Sequence, residues 1–306
     1  MAVRQSTPMA LVGALRRVVA APEATLKLVV AAAVGGGHLL LEDVPGVGKT
    51  LLAKTLAKAL GVGFRRIQFS PDLLPGDLTG VQVYLPSDGS FRFTPGPLFS
   101  HVVLADEINR ASPRTQSGLL EAMEEGQVSI DGVTHDLPRP FFVIATQNPV
   151  SFEGTYPLPE VQLDRFIAAL SLGYPSYEDE LALLEGQHGQ EVQVEAFPAA
   201  DLLEWQQAAS RVHVDPSLRA YALAVVRATR NWPEVALGIS PRGALAWQGL
   251  ARAHAYVEGR DFLVPDDLKQ TALPALAHRL LMRGESTPER KRRVIAELLE
   301  REPVPR

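Results

Sequence analysis

Apolar positions in the first part of the chain recur at helical spacing and then give way to short continuous runs. In residues 10–34, "ALVGALRRVV" and "EATLKLVVAAAV" set apolar side chains on one face. Ala21 and Pro22 interrupt them, so two short helices are expected. The glycines at 35–37 end this segment. "HLLLE" then reads as a strand. "VGKTLLAKTLAKAL" places Leu51, Leu52, Leu56 and Leu60 on one side of a helix that Gly61 closes. The order is strand, loop, helix.

"FRRIQFS" predicts a second strand, after which Pro71, Pro75, Gly76 and Gly80 break regular structure. "GVQVYL" and "SFRFTPG", separated by "PSDG", predict a hairpin over 81–93. "HVVLADE" is the third strand. In "SPRTQSGLLEAMEEG", Ser112 is placed as N-cap, Pro113 as first helical residue and Gly126 as the stop. A second hairpin over 127–137 turns on Asp131 and Gly132. "FFVIATQNP" is a continuous apolar run, as expected of a strand buried on both faces, and "RFIAALSLG" supplies a fifth. Strands separated by helices argue for a parallel, doubly wound α/β sheet with its ligand at the carboxyl edge. From about residue 176 the pattern becomes Ala- and Leu-rich and wholly helical. The chain is thus expected to divide into an α/β domain, 1–175, and a helical domain, 176–306.

A length of 306 residues accommodates two such units. A formal net charge of -5, from 30 basic and 35 acidic residues, gives no electrostatic case for nucleic acid. With no cysteine there is neither a disulfide framework nor a thiolate metal site, and a reducing, cytoplasmic setting is expected. The N-terminal segment mixes Arg, Glu and Lys through its apolar positions, unlike a signal peptide, and no run is long enough to span a membrane.

The chemistry concentrates in five short stretches. "EDVPGVGKT" ends as a phosphate-binding loop should, although Asp43 stands where the usual motif has its first glycine. Backbone N–H groups around Gly46 and Gly48 can close on phosphates, Lys49 can neutralise the β/γ charge, and the Thr50 hydroxyl can hold Mg²⁺. Asp tolerates turn conformations, so Asp43 is expected to face away from the phosphates. At the carboxyl end of "HVVLADE", Asp106 can complete the metal's ligand shell, and Glu107 can polarise a water for attack on the γ-phosphate. "ATQNP" ends a buried strand in Thr146, Gln147 and Asn148, which delivers an amide near that water. Arg165 in "LDRF" and Arg242 in "ISPRGAL" are candidates for stabilising charge on the γ-phosphate. The histidines form no metal-ligand cluster, and His38 is read as a packing residue at a strand end.

With these residues in place the sequence resembles the MoxR group of AAA+ ATPases. The likeness is carried by "LLLEDVPGVGKT", "DLLPGDLTG", "GPLFSHVVLADEINRASPRTQSGLLEAMEE", "FFVIATQNP", "GTYPLPEVQLDRF" and "ISPRGAL". It implies an AAA+ P-loop NTPase core, a five-stranded parallel αβα sheet, followed by a small all-helical lid. It also implies a ring, usually a hexamer, with ATP and Mg²⁺ at subunit interfaces. The loop from Pro45 through Gly46, Val47, Gly48, Lys49 and Thr50 to Leu51 would hold nucleotide, with Thr50 and Asp106 on Mg²⁺. Glu107 completes the acidic pair, Asn148 matches the first sensor and Arg242 the second. Arg165 matches the finger that acts in the neighbouring subunit's site, with Arg110 and Arg114 as alternatives. The two hairpins match elements that line or face the pore.

Such proteins remodel or activate client proteins, or assist metal or cofactor insertion, often with a partner bearing a von Willebrand factor A domain; here that partner would be a separate chain. The rival expectations are a slow nucleotide-dependent binding switch and, less favoured, a DNA motor.

Overall fold

The computed structural model describes residues 6–87, 89–148, 155–185 and 196–305. Asp88 of the first hairpin turn, Pro149 after Asn148, and Gly154 lie outside the described residues. Five parallel strands form the central sheet: β1 (Leu39–Glu42), β2 (Phe64–Gln68), β5 (Val102–Asp106), β8 (Phe142–Gln147) and β9 (Ala168–Leu170). Their order is β2-β5-β8-β1-β9, which sets the carboxyl ends of β5, β8 and β1 side by side.

These strands read as unbroken apolar runs because both faces are covered. Leu39, Leu41, Leu104 and Ile144 point into a cluster with α1 (Pro8–Arg16), α2 (Glu23–Val34) and α3 (Lys49–Ala59). Leu40, Val103, Ala105, Val143 and Ala145 point the other way, toward α4 (Pro75–Thr79) and α5 (Pro113–Glu125). Alternate residues of one strand therefore fill two different cores. The first cluster continues without a break through Trp205 of α8 (Ala199–Ser210), Val225 of α9 (Pro216–Arg230) and Trp247 of α10 (Pro241–Val257).

Local signals shape the helices as expected. Ser112 caps α5 by accepting from Thr115 N at 3.3 Å, and the helix ends at Gly126. Two antiparallel hairpins leave the sheet, β3 (Gly80–Leu85) with β4 (Ser90–Pro95) and β6 (Gln127–Ile130) with β7 (Val133–Asp136). They touch one another: the rings of Phe93 and His135 stack with centroids 4.0 Å apart, and Phe99 packs edge-on to Phe93.

Two details depart from the sequence reading. The Pro- and Gly-rich stretch after β2 makes a one-turn helix, α4, because Pro75 opens it and Asp77 accepts from Leu74 N at 2.8 Å. The region after residue 176 is not purely helical. Beside α7 (Tyr177–Leu184), α11 (Pro265–Leu276) and α12 (Pro288–Arg301) it holds a short antiparallel pair, β10 (Val235–Leu237) with β11 (Leu281–Met282). "NWPEVALGIS" links α9 to α10, and its proline and glycine leave room only for this brief pairing.

A buried arginine fastens the helical region to the sheet. Arg279 is 5% exposed; its Nε donates to Asp164 Oδ1 at 2.6 Å, and its Nη2 donates to the carbonyls of Phe166 at 2.6 Å and Asp164 at 3.1 Å. Asp164 also accepts from Ser240 Oγ at 3.0 Å, the residue that caps α10. It follows α6 (Glu160–Leu163) directly.

His38 is buried, as the packing assignment requires. Its Nδ1 accepts from Val143 N at 3.0 Å, its Nε2 lies 3.0 Å from the Met123 carbonyl, and burial lowers its pKa to about 4. His278 is likewise buried, and burial beside Arg279 holds it well below the usual histidine value. Both are neutral in the fold and gain a proton once the chain unfolds in mild acid. Stability should therefore fall as pH drops from ~6.5 toward ~4, with His38 contributing on the order of 3 kcal/mol. Urea unfolding across that range should show the loss, and His38→Gln should flatten the slope by about one proton.

Candidate nucleotide site

The site begins where β1 runs out of apolar residues. Asp43 is 5% exposed, and its carboxylate accepts from Ser171 Oγ at 2.7 Å, Leu172 N at 2.7 Å and Gly173 N at 3.2 Å. It is thus anchored to the end of β9 and faces away from the loop that follows. Gly46 and Gly48 both have φ +91°, a backbone that side-chain-bearing residues avoid. A Cβ at either would meet nothing within 4 Å, so the loop surrounds open space large enough for phosphate oxygens. Gly48 caps α3, whose first N–H groups, on Lys49, Thr50 and Leu51, lack intrahelical partners. Lys49 is folded over the loop, donating from Nζ to the carbonyls of Asp43 at 2.8 Å and Val44 at 3.0 Å.

Opposite the loop, β5 and β8 end together. Thr146 Oγ1 donates to Asp106 Oδ1 at 2.7 Å and accepts from Glu107 N at 2.9 Å. Glu107 itself has φ 57°, a left-handed backbone uncommon outside glycine, which sets its side chain apart from the strand direction. Its Oε2 accepts from Gln68 Nε2 at 2.8 Å and from Arg110 Nη1 at 3.0 Å. Arg66 reaches the other acid: Nη2 and Nε lie 2.6 and 3.1 Å from Asp106 Oδ2. These groups enclose a cleft of about 440 Å³ with Pro45, Gly46, Gly48, Lys49, Thr50, Leu51 and Asn148 on its walls. Val47, expected in the loop's nucleotide grip, does not line the cleft; it is buried and packs into the core.

Arg165 and Arg242 do not line this cleft. Arg165 precedes β9, and Ile167 N donates to the His38 carbonyl at 2.9 Å, so the arginine belongs to the amino edge of the sheet. There Glu124 of α5 holds both side chains, with Arg165 Nε at 3.1 Å and Arg242 Nη1 at 2.7 Å. Arg110 remains on its own Glu107.

Three residues escaped the sequence reading. Arg66 and Gln68 flank the buried Ile67 on β2, and that alternation beside an acidic strand end was the available signal. Nothing local marks Glu124.

A parallel sheet in this order, with a phosphate loop after β1 and paired acids after β5, defines an AAA+ ATPase. The family model for the ATPase family associated with various cellular activities matches residues 38–168, and that for the AAA lid domain matches 227–298. The chain is 50% identical over 262 residues to the protein YeaC of Bacillus subtilis, covering 85% of this chain and 82% of that one. It is 40% identical over 279 residues to the chaperone MoxR1 of Mycobacterium tuberculosis, covering 88% and 74%. A crystal structure of a candidate ATPase from Cytophaga hutchinsonii superposes with a TM-score of 0.87 at 37% identity, covering 97% and 94%. The chain belongs to the MoxR-type AAA+ ATPases. Among the described residues, no helix is long and apolar enough to cross a membrane.

Since Asp43 serves β9 rather than the phosphates, Asp43→Gly should cost about 2–3 kcal/mol of stability through unsatisfied N–H groups. ATP affinity should stay within a few fold. Thermal unfolding and a fluorescent-nucleotide titration would measure both.

Proposed function

We propose that the protein hydrolyses ATP with Mg²⁺ in a homo-oligomeric ring, taken as a hexamer, and uses each turnover to remodel a client protein. That work includes activating the client or assisting metal or cofactor insertion into it. A separate protein with a von Willebrand factor A domain is the expected partner, and the setting is the cytoplasm. The observation that carries this reading is the division of the chemistry. Lys49, Thr50, Asp106, Glu107 and Asn148 border one cleft, while Arg165 and Arg242 are gathered outside it on Glu124. Their side chains are 26% and 51% exposed, open to a neighbouring subunit's nucleotide.

In this reading the loop N–H groups and Lys49 bind the β- and γ-phosphates, with Thr50 and Asp106 as the metal's protein ligands. Mg²⁺ supplies charge neutralisation on the phosphates. Glu107 orients and deprotonates the attacking water, Asn148 fixes that water's position, and the neighbour's Arg165 and Arg242 stabilise charge on the departing phosphate oxygens. The β3–β4 hairpin offers Tyr84 and Phe91, 53% and 70% exposed with ring centroids 5.3 Å apart, as an apolar contact for the client. Nucleic acid is a poor fit, because in the basic run 289–293 both Arg290 and Arg293 are paired with Glu234.

A slow binding switch is the second reading, favoured by the two donors that already occupy Glu107 Oε2. Glu107→Gln should keep ATP binding and lower turnover by about 10²–10⁴. Client processing unchanged in that variant would overturn remodelling. Arg165→Ala and Lys49→Ala should each be inactive alone, the first by about 10³. Mixed together they should regain part of the activity, because one subunit supplies the cleft and the other the arginine; no recovery on mixing would reject action across the interface.

A further inference from the structure

We propose that Arg66 competes with the metal in this site: its guanidinium holds Asp106 while no divalent cation is present and must leave for Mg²⁺ to enter. The inference rests on the reading of the cleft as a Mg²⁺–ATP site and adds a residue that sets how much metal the site requires.

Both oxygens of Asp106 are already engaged. Oδ1 accepts from Thr146, a neutral hydroxyl fixed in place by its second bond to Glu107 N. Oδ2 takes two donors from Arg66, at 2.6 and 3.1 Å. A metal approaching this carboxylate meets both donors, and of the two only Arg66 carries charge. A guanidinium and a divalent ion sharing one carboxylate oxygen would repel each other at short range.

Arg66 is also the partner free to go. It lies on β2, an edge strand of the sheet, and its side chain is 48% exposed against 13% for Asp106. Its remaining tie is one bond from Nη2 to Gln68 Oε1 at 3.0 Å. Exchange of one cation for another keeps the acidic edge neutralised in both states, whereas an empty site without Arg66 would leave Asp106 and Glu107 side by side with less compensation.

The test uses full-length wild type, Arg66→Gln and Arg66→Lys, with unchanged thermal unfolding as the check on folding. Binding of a non-hydrolysable ATP analogue is measured in EDTA and then during Mg²⁺ titration, and free Mn²⁺ is followed by electron paramagnetic resonance in a parallel series. Arg66→Gln should bind the analogue in EDTA as wild type does, yet reach half-saturation at about fivefold lower metal, the scale of a half-exposed ion pair. Arg66→Lys should fall between the two. An unchanged or higher metal requirement in Arg66→Gln would overturn the proposal, as would weaker binding in EDTA, which would make Arg66 a phosphate ligand. If wild type binds the analogue with no response to metal, the Mg²⁺–ATP reading itself fails, and the proposal with it.

Discussion

Burial of β1, β5 and β8 on both faces is the constraint from which the site follows. The covered middle of these strands excludes polar side chains, so each runs apolar until its last one or two residues, Glu42, Asp106, and Thr146 with Gln147. The first polar groups then emerge at one level, with Glu42 opposite Gln147 and Asp106 beside Thr146. Parallel register makes adjacent strands end together, and the phosphate loop, the acidic pair and Asn148 meet as a result. The polar edge is thus a consequence of how thoroughly the middle is covered.

The opposite edge is organised differently. There the chain assembles a charged cluster held by a buried ion pair, Arg279 with Asp164, which also captures the cap residue of α10. Asp164 is followed directly by Arg165, and Ser240 is separated from Arg242 only by Pro241. Two part-buried contacts therefore fix the bases from which both arginines extend, and Glu124 joins their tips. Removing one partner from such a buried pair costs more than the pair contributes, because the other charge is left without compensation.

What could be read in the sequence was what the sequence encodes locally. The loop at Gly46 to Thr50, the strand ending in Asp106 and Glu107, the cap at Ser112 and the turn at Asp131 and Gly132 are each contained within a few consecutive residues, and the structure reproduces them. Asp43 was judged by its tolerance of turns, and it does face away, but its partners at 171–173 lie just past the end of β9, far along the chain, where no local pattern announces them. Glu124 could not be picked out because its role depends on where α5 ends relative to two arginines far along the chain. The same holds for Arg66, whose meaning comes from the strand beside it. The pairing of β10 with β11 depends on two separated segments, each too short to register.

The contact between the two hairpins has a mechanical side. Phe93 stacked on His135 ties β4 to β7, so the pair resists bending separately. The second hairpin grows straight out of α5 through Gly126, two residues beyond Glu124. A pull on the exposed aromatic tip at Tyr84 and Phe91 is therefore borne by the last turn of α5, the same turn that grips Arg165 and Arg242. One ring contact and one helix end thus join the exposed aromatic tip to the turn that holds both arginines.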